Sequence, residues 1–94
     1  MDGGRPARLK LGGGYERAFA KLRGALKRSK VDKAARLFVA DSRHPSLKFE
    51  TVSGCPGYFK YRVDLRWHVL LRRENDDQGD YYLAVDIQHH DTYG

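Results

Sequence analysis

The sequence predicts an α+β fold, with two N-terminal helices on one face of a twisted antiparallel sheet of four strands. Three observations carry that reading. Apolar residues recur at helical spacing from Tyr15 to Val39, the period drops to two after Pro45, and the strands so marked follow one another through short turns. Helices first and strands afterwards is a segregated order, and it places both helices on one side of a sheet whose strands need no crossover. Ninety-four residues support a single core, since either half would bury too little apolar surface to offset the ordering of its chain.

Residues 1–14, MDGGRPARLKLGGG, are rich in glycine and basic side chains, with one alternation at Leu9 and Leu11. They read as a flexible tail or a short edge strand. Tyr15, Ala18, Phe19, Leu22 and Leu26 then mark a first helix, with Arg17, Lys21, Arg23, Lys27 and Arg28 around its other faces. Ser29 is placed to cap a second helix with Asp32 in its first turn. Val31, Ala34, Ala35, Phe38 and Val39 supply its apolar stripe before DSRHP stops it.

The strand period begins in LKFETV, where Leu47 and Phe49 oppose Lys48 and Glu50. After SGCPG, Phe59, Tyr61 and Val63 alternate with Lys60 and Arg62; after DLR, Trp67, Val69 and Leu71 alternate with His68 and Arg72. These two strands form a hairpin. ENDDQGD reads as a solvated turn, and Tyr81, Leu83, Val85 and Ile87 as the core side of the last strand. Spacing assigns Phe19, Phe38, Trp67 and Tyr81 to the core.

A 40% hydrophobic content excludes a disordered or fibrous chain, and a formal charge of +6 points to an acidic partner. Phosphate backbones, acidic proteins and anionic membranes all answer to that. No apolar stretch approaches membrane-spanning length and no signal-peptide pattern opens the sequence, so no membrane partner and a cytoplasmic address are expected. Cys55 is the only cysteine, which forbids an internal disulfide and a multi-thiolate zinc site. Within SGCPG it reads as an incidental thiol rather than a nucleophile.

The side of the sheet away from the helices carries the chemistry. Pairing Val63 with Trp67 across DLR sets Arg62 opposite His68 and Lys60 opposite Leu70. Neighbouring like charges repel, so such a stripe suggests an anionic ligand, although a solvated sheet face also carries Lys and Arg. The last strand adds Asp86, Gln88 and His90 to this side, with His89 and Tyr93 close by in HHDTY. Cations there can hold a phosphate and stabilise transition-state charge, while imidazole, which titrates near neutrality, moves protons. A metal reading of HHD meets a geometric objection: adjacent strand residues face opposite ways, so only one of His89 and His90 can join His68 or Asp86. No metal or other cofactor is expected.

LKFETVSGCPGYFKYRVDLRWHVLLRR followed by YYLAVDIQHHDTY resembles the RelE/ParE superfamily of bacterial toxins from type II toxin–antitoxin pairs. The likeness runs from about Tyr15 onward. Its most specific parts are the aromatic-basic strand YFKYRV, the strand RWHVLLRR after a short connection, and a terminal strand ending in His and Tyr. It implies one RelE-like toxin domain over residues 15–94. For the RelE- and YoeB-like branch, favoured here, it also implies a metal-independent endoribonuclease that cuts messenger RNA on the ribosome with the 2′-hydroxyl as nucleophile. The ParE-like alternative inhibits DNA gyrase by binding it, without catalysis.

By position, Lys60 and Arg62 match the family's phosphate-contacting cations, and His89 or His90 with Tyr93 its terminal proton-moving and base-stacking groups. Where the family directs an arginine at the phosphate from the following strand, this chain carries His68, with Arg66 two positions earlier. The expected catalytic set is therefore Arg62, His68, His89, His90 and Tyr93, His90 being first choice for proton transfer, with Lys48, Lys60 and Arg66 binding substrate. Expected partners are an acidic cognate antitoxin, and messenger and ribosomal RNA or, in the alternative, DNA gyrase.

Overall fold

The short N-terminal alternation forms strand β1, Leu9–Leu11, in the computed structural model, which describes residues 5–24 and 26–89. It is followed by helices α1 (Gly13–Ala20) and α2 (Arg28–Ala40) and strands β2 (Glu50–Thr51), β3 (Tyr58–Arg62), β4 (Trp67–Asp76) and β5 (Gly79–His89). The sheet order is β1-β5-β4-β3-β2. β1 lies parallel to β5, Leu9 opposite Tyr82 and Leu11 opposite Ala84, and the other pairings are antiparallel. The expected α+β architecture stands, and β1 is the short N-terminal edge strand that the Leu9 and Leu11 alternation allowed for; because it runs parallel to β5, the five-stranded sheet is mixed rather than wholly antiparallel. A single Leu-Lys-Leu alternation does not reveal a strand partner at the far end of the chain.

The GGG run is part of this arrangement and not a linker. Gly12 donates its backbone N–H to the Ala84 carbonyl at 2.8 Å, and a Cβ on Gly14 would stand 2.3 Å from the Val85 carbonyl oxygen. Helix α1 therefore opens directly against β5. It ends at Ala20, short of the Leu22 and Leu26 expected to extend it, although Leu26 is buried all the same. Arg28 explains the stop. Its guanidinium donates to the carbonyls of Phe19 (3.1 Å) and Ala20 (2.8 Å), satisfying acceptors that the helix end leaves open.

Helix α2 begins at Arg28 with Lys27 at the N-cap and no side-chain cap, so Ser29 lies inside the helix rather than capping it. Its buried stripe is Val31, Ala34 and Phe38; Val39 is 43% exposed, being turned about 100° from Phe38. In place of a strand over LKFETV, Pro45–Leu47 make a 3-10 turn and only Glu50–Thr51 pair. Proline suits the first position of such a turn, and the His44 ring accepts the Ser46 N–H at 3.2 Å. ENDDQGD is likewise mostly strand. Asp76 pairs with Gly79, leaving Asp77 and Gln78 as a two-residue hairpin loop, and Gly79 takes the positive φ of 112° that the tight reversal needs.

The apolar alternation in β5 is broken by a bulge. Leu70 pairs with Asp86 but Leu71 with Ala84, so Val85 is an extra residue. Side-chain parity flips across it, and Tyr82 and Ala84 face the helical layer in place of the expected Tyr81, Leu83 and Val85. Ile87 points inward as its spacing predicts. Tyr81 is absent from the core: its ring lies under the Lys10 ammonium at 4.2 Å and the Arg8 guanidinium at 5.5 Å. Phe38 stacks on Tyr61 at 4.9 Å in the centre of the core, with Phe19 and Trp67 packed against its margin.

The hairpin end of β4 also anchors β1. Arg8 grips Asp76 with a guanidinium fork (3.0 and 2.7 Å), Lys10 adds a bond at 2.9 Å, and the Gln78 N–H donates at 2.9 Å. These donors, Arg8 foremost, hold the Asp76 carboxyl well below the usual carboxylate range. A depressed folded-state value means that the stabilisation is complete above the unfolded value near pH ~4 and is lost as pH falls below it. Asp76→Asn is therefore expected to lower the Tm near neutrality, with the gap to the parent narrowing from about pH 4 downward. A gap that stays constant in acid would show that the stabilisation does not come from the Asp76 charge.

Candidate active site

The β3–β4 hairpin positions the basic residues. The Val63 N–H bonds the Trp67 carbonyl at 2.9 Å, and the Asp64 carboxylate accepts the N–H groups of Arg66 (3.0 Å) and Trp67 (3.1 Å), closing the DLR turn. The resulting register sets Lys60 opposite Leu70 and Arg62 opposite His68, while on the other side of β4, Gln88 faces His68 and Asp86 faces Leu70. Strand alternation therefore puts Lys60, Arg62, His68, Asp86 and Gln88 on the side away from the core.

A cleft of about 210 Å³ opens over this face, and Lys48, Lys60, Arg62, Arg66 and His68 all line it. Lys48 arrives from the end of the 3-10 turn and Arg66 from the hairpin tip. Glu50 and Asp64 line the same cleft, with the Glu50 carboxylate 3.4 Å from the Lys60 ammonium. Positive charge remains in excess there, so the cleft favours an anion.

Lys48 holds the left-handed conformation, φ 49°, which costs a side chain on the order of 1 kcal/mol and which glycine adopts freely. Lys48→Gly is thus expected to stabilise the fold by about 1 kcal/mol in urea titration while weakening anion binding, a divergence that a purely structural lysine would not produce.

His68 is buried, at 8% exposure, whereas the open face led to an expectation of solvent contact. Its Nε2 lies 3.2 Å from the Gln88 Oε1, and the Gln88 amide nitrogen donates to Asp86 at 3.2 Å. Because Asp86 can only accept, the amide oxygen must face the ring, and His68 carries its proton on Nε2. Gln88 and Asp86 thus act as positioning residues for the imidazole. Their alternation with Ile87 put them on this face from sequence, but nothing in it disclosed the bond to His68.

His89 does not join this group. It pairs with Trp67 on the helix side, their rings edge-on at 5.0 Å, and with Lys30 it lines an adjoining cleft of about 290 Å³ that shares Asp64, Leu65, Arg66 and Trp67 with the cationic cleft. This is the division between neighbouring strand residues that alternation requires. His90 and Tyr93 lie outside the described residues. Tyr15 and Tyr61 are in the core, where burial pushes the Tyr15 hydroxyl up to about 12 and that of Tyr61 further, so neither ionises near neutrality. Among the described residues no three of His, Cys, Asp and Glu gather as a metal site, and no helix is long and apolar enough to cross a membrane.

No protein-family model matches the chain, and no curated protein matches its sequence. Solved structures do match. A chain of the E. coli DinJ–YafQ toxin–antitoxin complex is similar over 96% of this chain and 100% of its own, with a TM-score of 0.65 at 16% identity. The YoeB/ParE toxin from Agrobacterium tumefaciens is similar over 88% and 98%, with 0.61 at 16% identity. A chain of the RelBE2 toxin–antitoxin complex from Mycobacterium tuberculosis is similar over 90% and 99%, with 0.57 at 18% identity. At these identities the likeness is one of fold, and the present chain has the α+β fold of these toxin–antitoxin chains and of the YoeB/ParE toxin.

Proposed function

We propose that the chain is the toxin of a type II toxin–antitoxin pair and a metal-independent endoribonuclease that cuts messenger RNA on the ribosome. The cation set of Lys60 and Arg62 beside an imidazole, His68, across one strand pair is the observation that carries this reading. A histidine, His90 by its place in the sequence or His68 by its place in the cleft, takes the proton of the 2′-hydroxyl. The 2′-oxygen attacks the adjacent phosphorus, the bond from phosphorus to the 5′-oxygen breaks, and that oxygen receives a proton. The products are a 2′,3′-cyclic phosphate and a 5′-hydroxyl. Arg62 and Lys60, with Arg66 and Lys48 at the rim, stabilise the charge that develops on the phosphoryl oxygens. Tyr93 stacks on a base or orients an imidazole. Exposed Arg17, Lys21 and Arg23 hold ribosomal RNA by its phosphates, with an affinity that falls as salt rises.

An acidic antitoxin covers the basic surface in the resting pair, and both act in the cytoplasm. The test is translation in a purified system, with transcripts mapped for cleavage within the reading frame and their new ends examined for cyclic phosphate. Intact transcripts alongside gyrase-linked DNA breaks would replace this reading with that of a gyrase inhibitor.

A further inference from the structure

A second groove, of about 520 Å³, adjoins the cationic cleft and shares Lys60 and His68 with it. Its volume lies within the roughly 300–1,000 Å³ of small-ligand sites. Val52, Tyr58 and Leu70 supply apolar walls, Ser53 and Gln88 add polar groups, and Cys55 stands at an exposed edge. The SGCPG segment shapes one side. Cys55 N–H bonds the Val52 carbonyl and Tyr58 N–H the Cys55 carbonyl, each at 3.1 Å, with Gly54 (φ 78°) and Gly57 (φ 83°) third in the two turns and Pro56 second in the later one. Two successive turns of the kind that requires a positive φ at the third position thus bring Val52, Ser53 and Cys55 to the groove.

We infer that this groove receives the nucleobase attached to the ribose whose phosphate lies in the cationic cleft, and that it sets base preference. Continuity argues for that occupant. A ligand held by Lys60 through its phosphate, beside His68, has its sugar and base within reach of the surfaces around those residues, and this one pairs apolar walls with hydrogen-bonding groups. An aromatic Tyr58 and a branched Leu70 suit the faces of a heterocycle, and Ser53 can bond its edge. The inference rests on the RNA-cleaving reading, and it assigns that site its specificity element.

Because Cys55 is the only cysteine, the groove can be filled after folding, by alkylating the native protein with N-ethylmaleimide. Calorimetry with the four nucleoside 3′-monophosphates and with ribose 3-phosphate reads the contribution of the base. At least one nucleotide is expected to bind about tenfold more tightly than ribose 3-phosphate, and the Cys55 adduct to reduce that ratio to about twofold or less. The favoured nucleotide, but not ribose 3-phosphate, is expected to slow alkylation of Cys55. Equal binding of all five ligands, or a ratio unchanged in the adduct, would overturn the inference. These measurements need no ribosome, so absence of mRNA cleavage with an intact ratio would remove the catalytic reading and leave the groove, and the converse would remove the groove alone.

Discussion

Arg62→Ala is expected to slow mRNA cleavage by about a hundredfold to a thousandfold, the usual consequence of deleting one group that stabilises transition-state charge. Arg62 stands opposite His68 in the register, so on the proposed reading its guanidinium and the imidazole would meet the scissile phosphate from neighbouring strands. Lys60→Ala is expected to cost less, because the Lys60 ammonium already shares its charge with Glu50 at 3.4 Å. Single-turnover cleavage by ribosome-bound protein measures both. Arg62 is half-buried and outside the hydrophobic core, so its loss is expected to change stability by about 0.5 kcal/mol or less. Cleavage that survives Arg62→Ala at the parental rate would place the chemistry elsewhere.

Gly14→Ala has the largest expected effect on stability. Two terms of opposite sign compete. Alanine improves helix propensity by up to about 1 kcal/mol over glycine. Against that, its methyl group would lie 2.3 Å from the Val85 carbonyl oxygen, a backbone atom held in a bulge between β4 and β5. No rotamer change relieves such a contact, so α1 must lift from the sheet or the bulge must move. A cost of about 3 kcal/mol follows, at the upper end for overpacking. Gly13→Ala is the control. Its methyl group meets the tip of the Arg17 side chain at 3.2 Å, which can swing away, so a change between zero and a gain of up to about 1 kcal/mol is expected. Urea denaturation of the two variants separates close approach from propensity, and equal midpoints would refute the close packing of α1 on β5.

The residues that defied the sequence reading share a cause. Val85 interrupts an apolar alternation that looks unbroken, and the register shift it makes between Leu70 and Leu71 arises from pairing with β4, which local spacing does not encode. Tyr81 left the core for the same reason, and its cation partners are Lys10 of the neighbouring β1 and Arg8 just before it. Arg28 resembled one more solvated charge, yet its acceptors are the carbonyls that end α1. Each outcome depends on a partner distant along the chain or on a carbonyl exposed by another element's end.

Patterning along the chain was sufficient for the α+β class, for the β3–β4 hairpin and for the placing of Lys60, Arg62 and His68 on one face, because side-chain direction alternates with every strand residue and a two-strand register follows from its turn. Tertiary structure alone decided that β1 closes the sheet in parallel with β5, that Gln88 and Asp86 hold His68, and that an apolar groove adjoins the cationic cleft. Those features join segments on different strands, 20 residues apart for His68 and Gln88 and 73 for Leu9 and Tyr82, and the free energy that selects them belongs to the packed whole rather than to any one stretch.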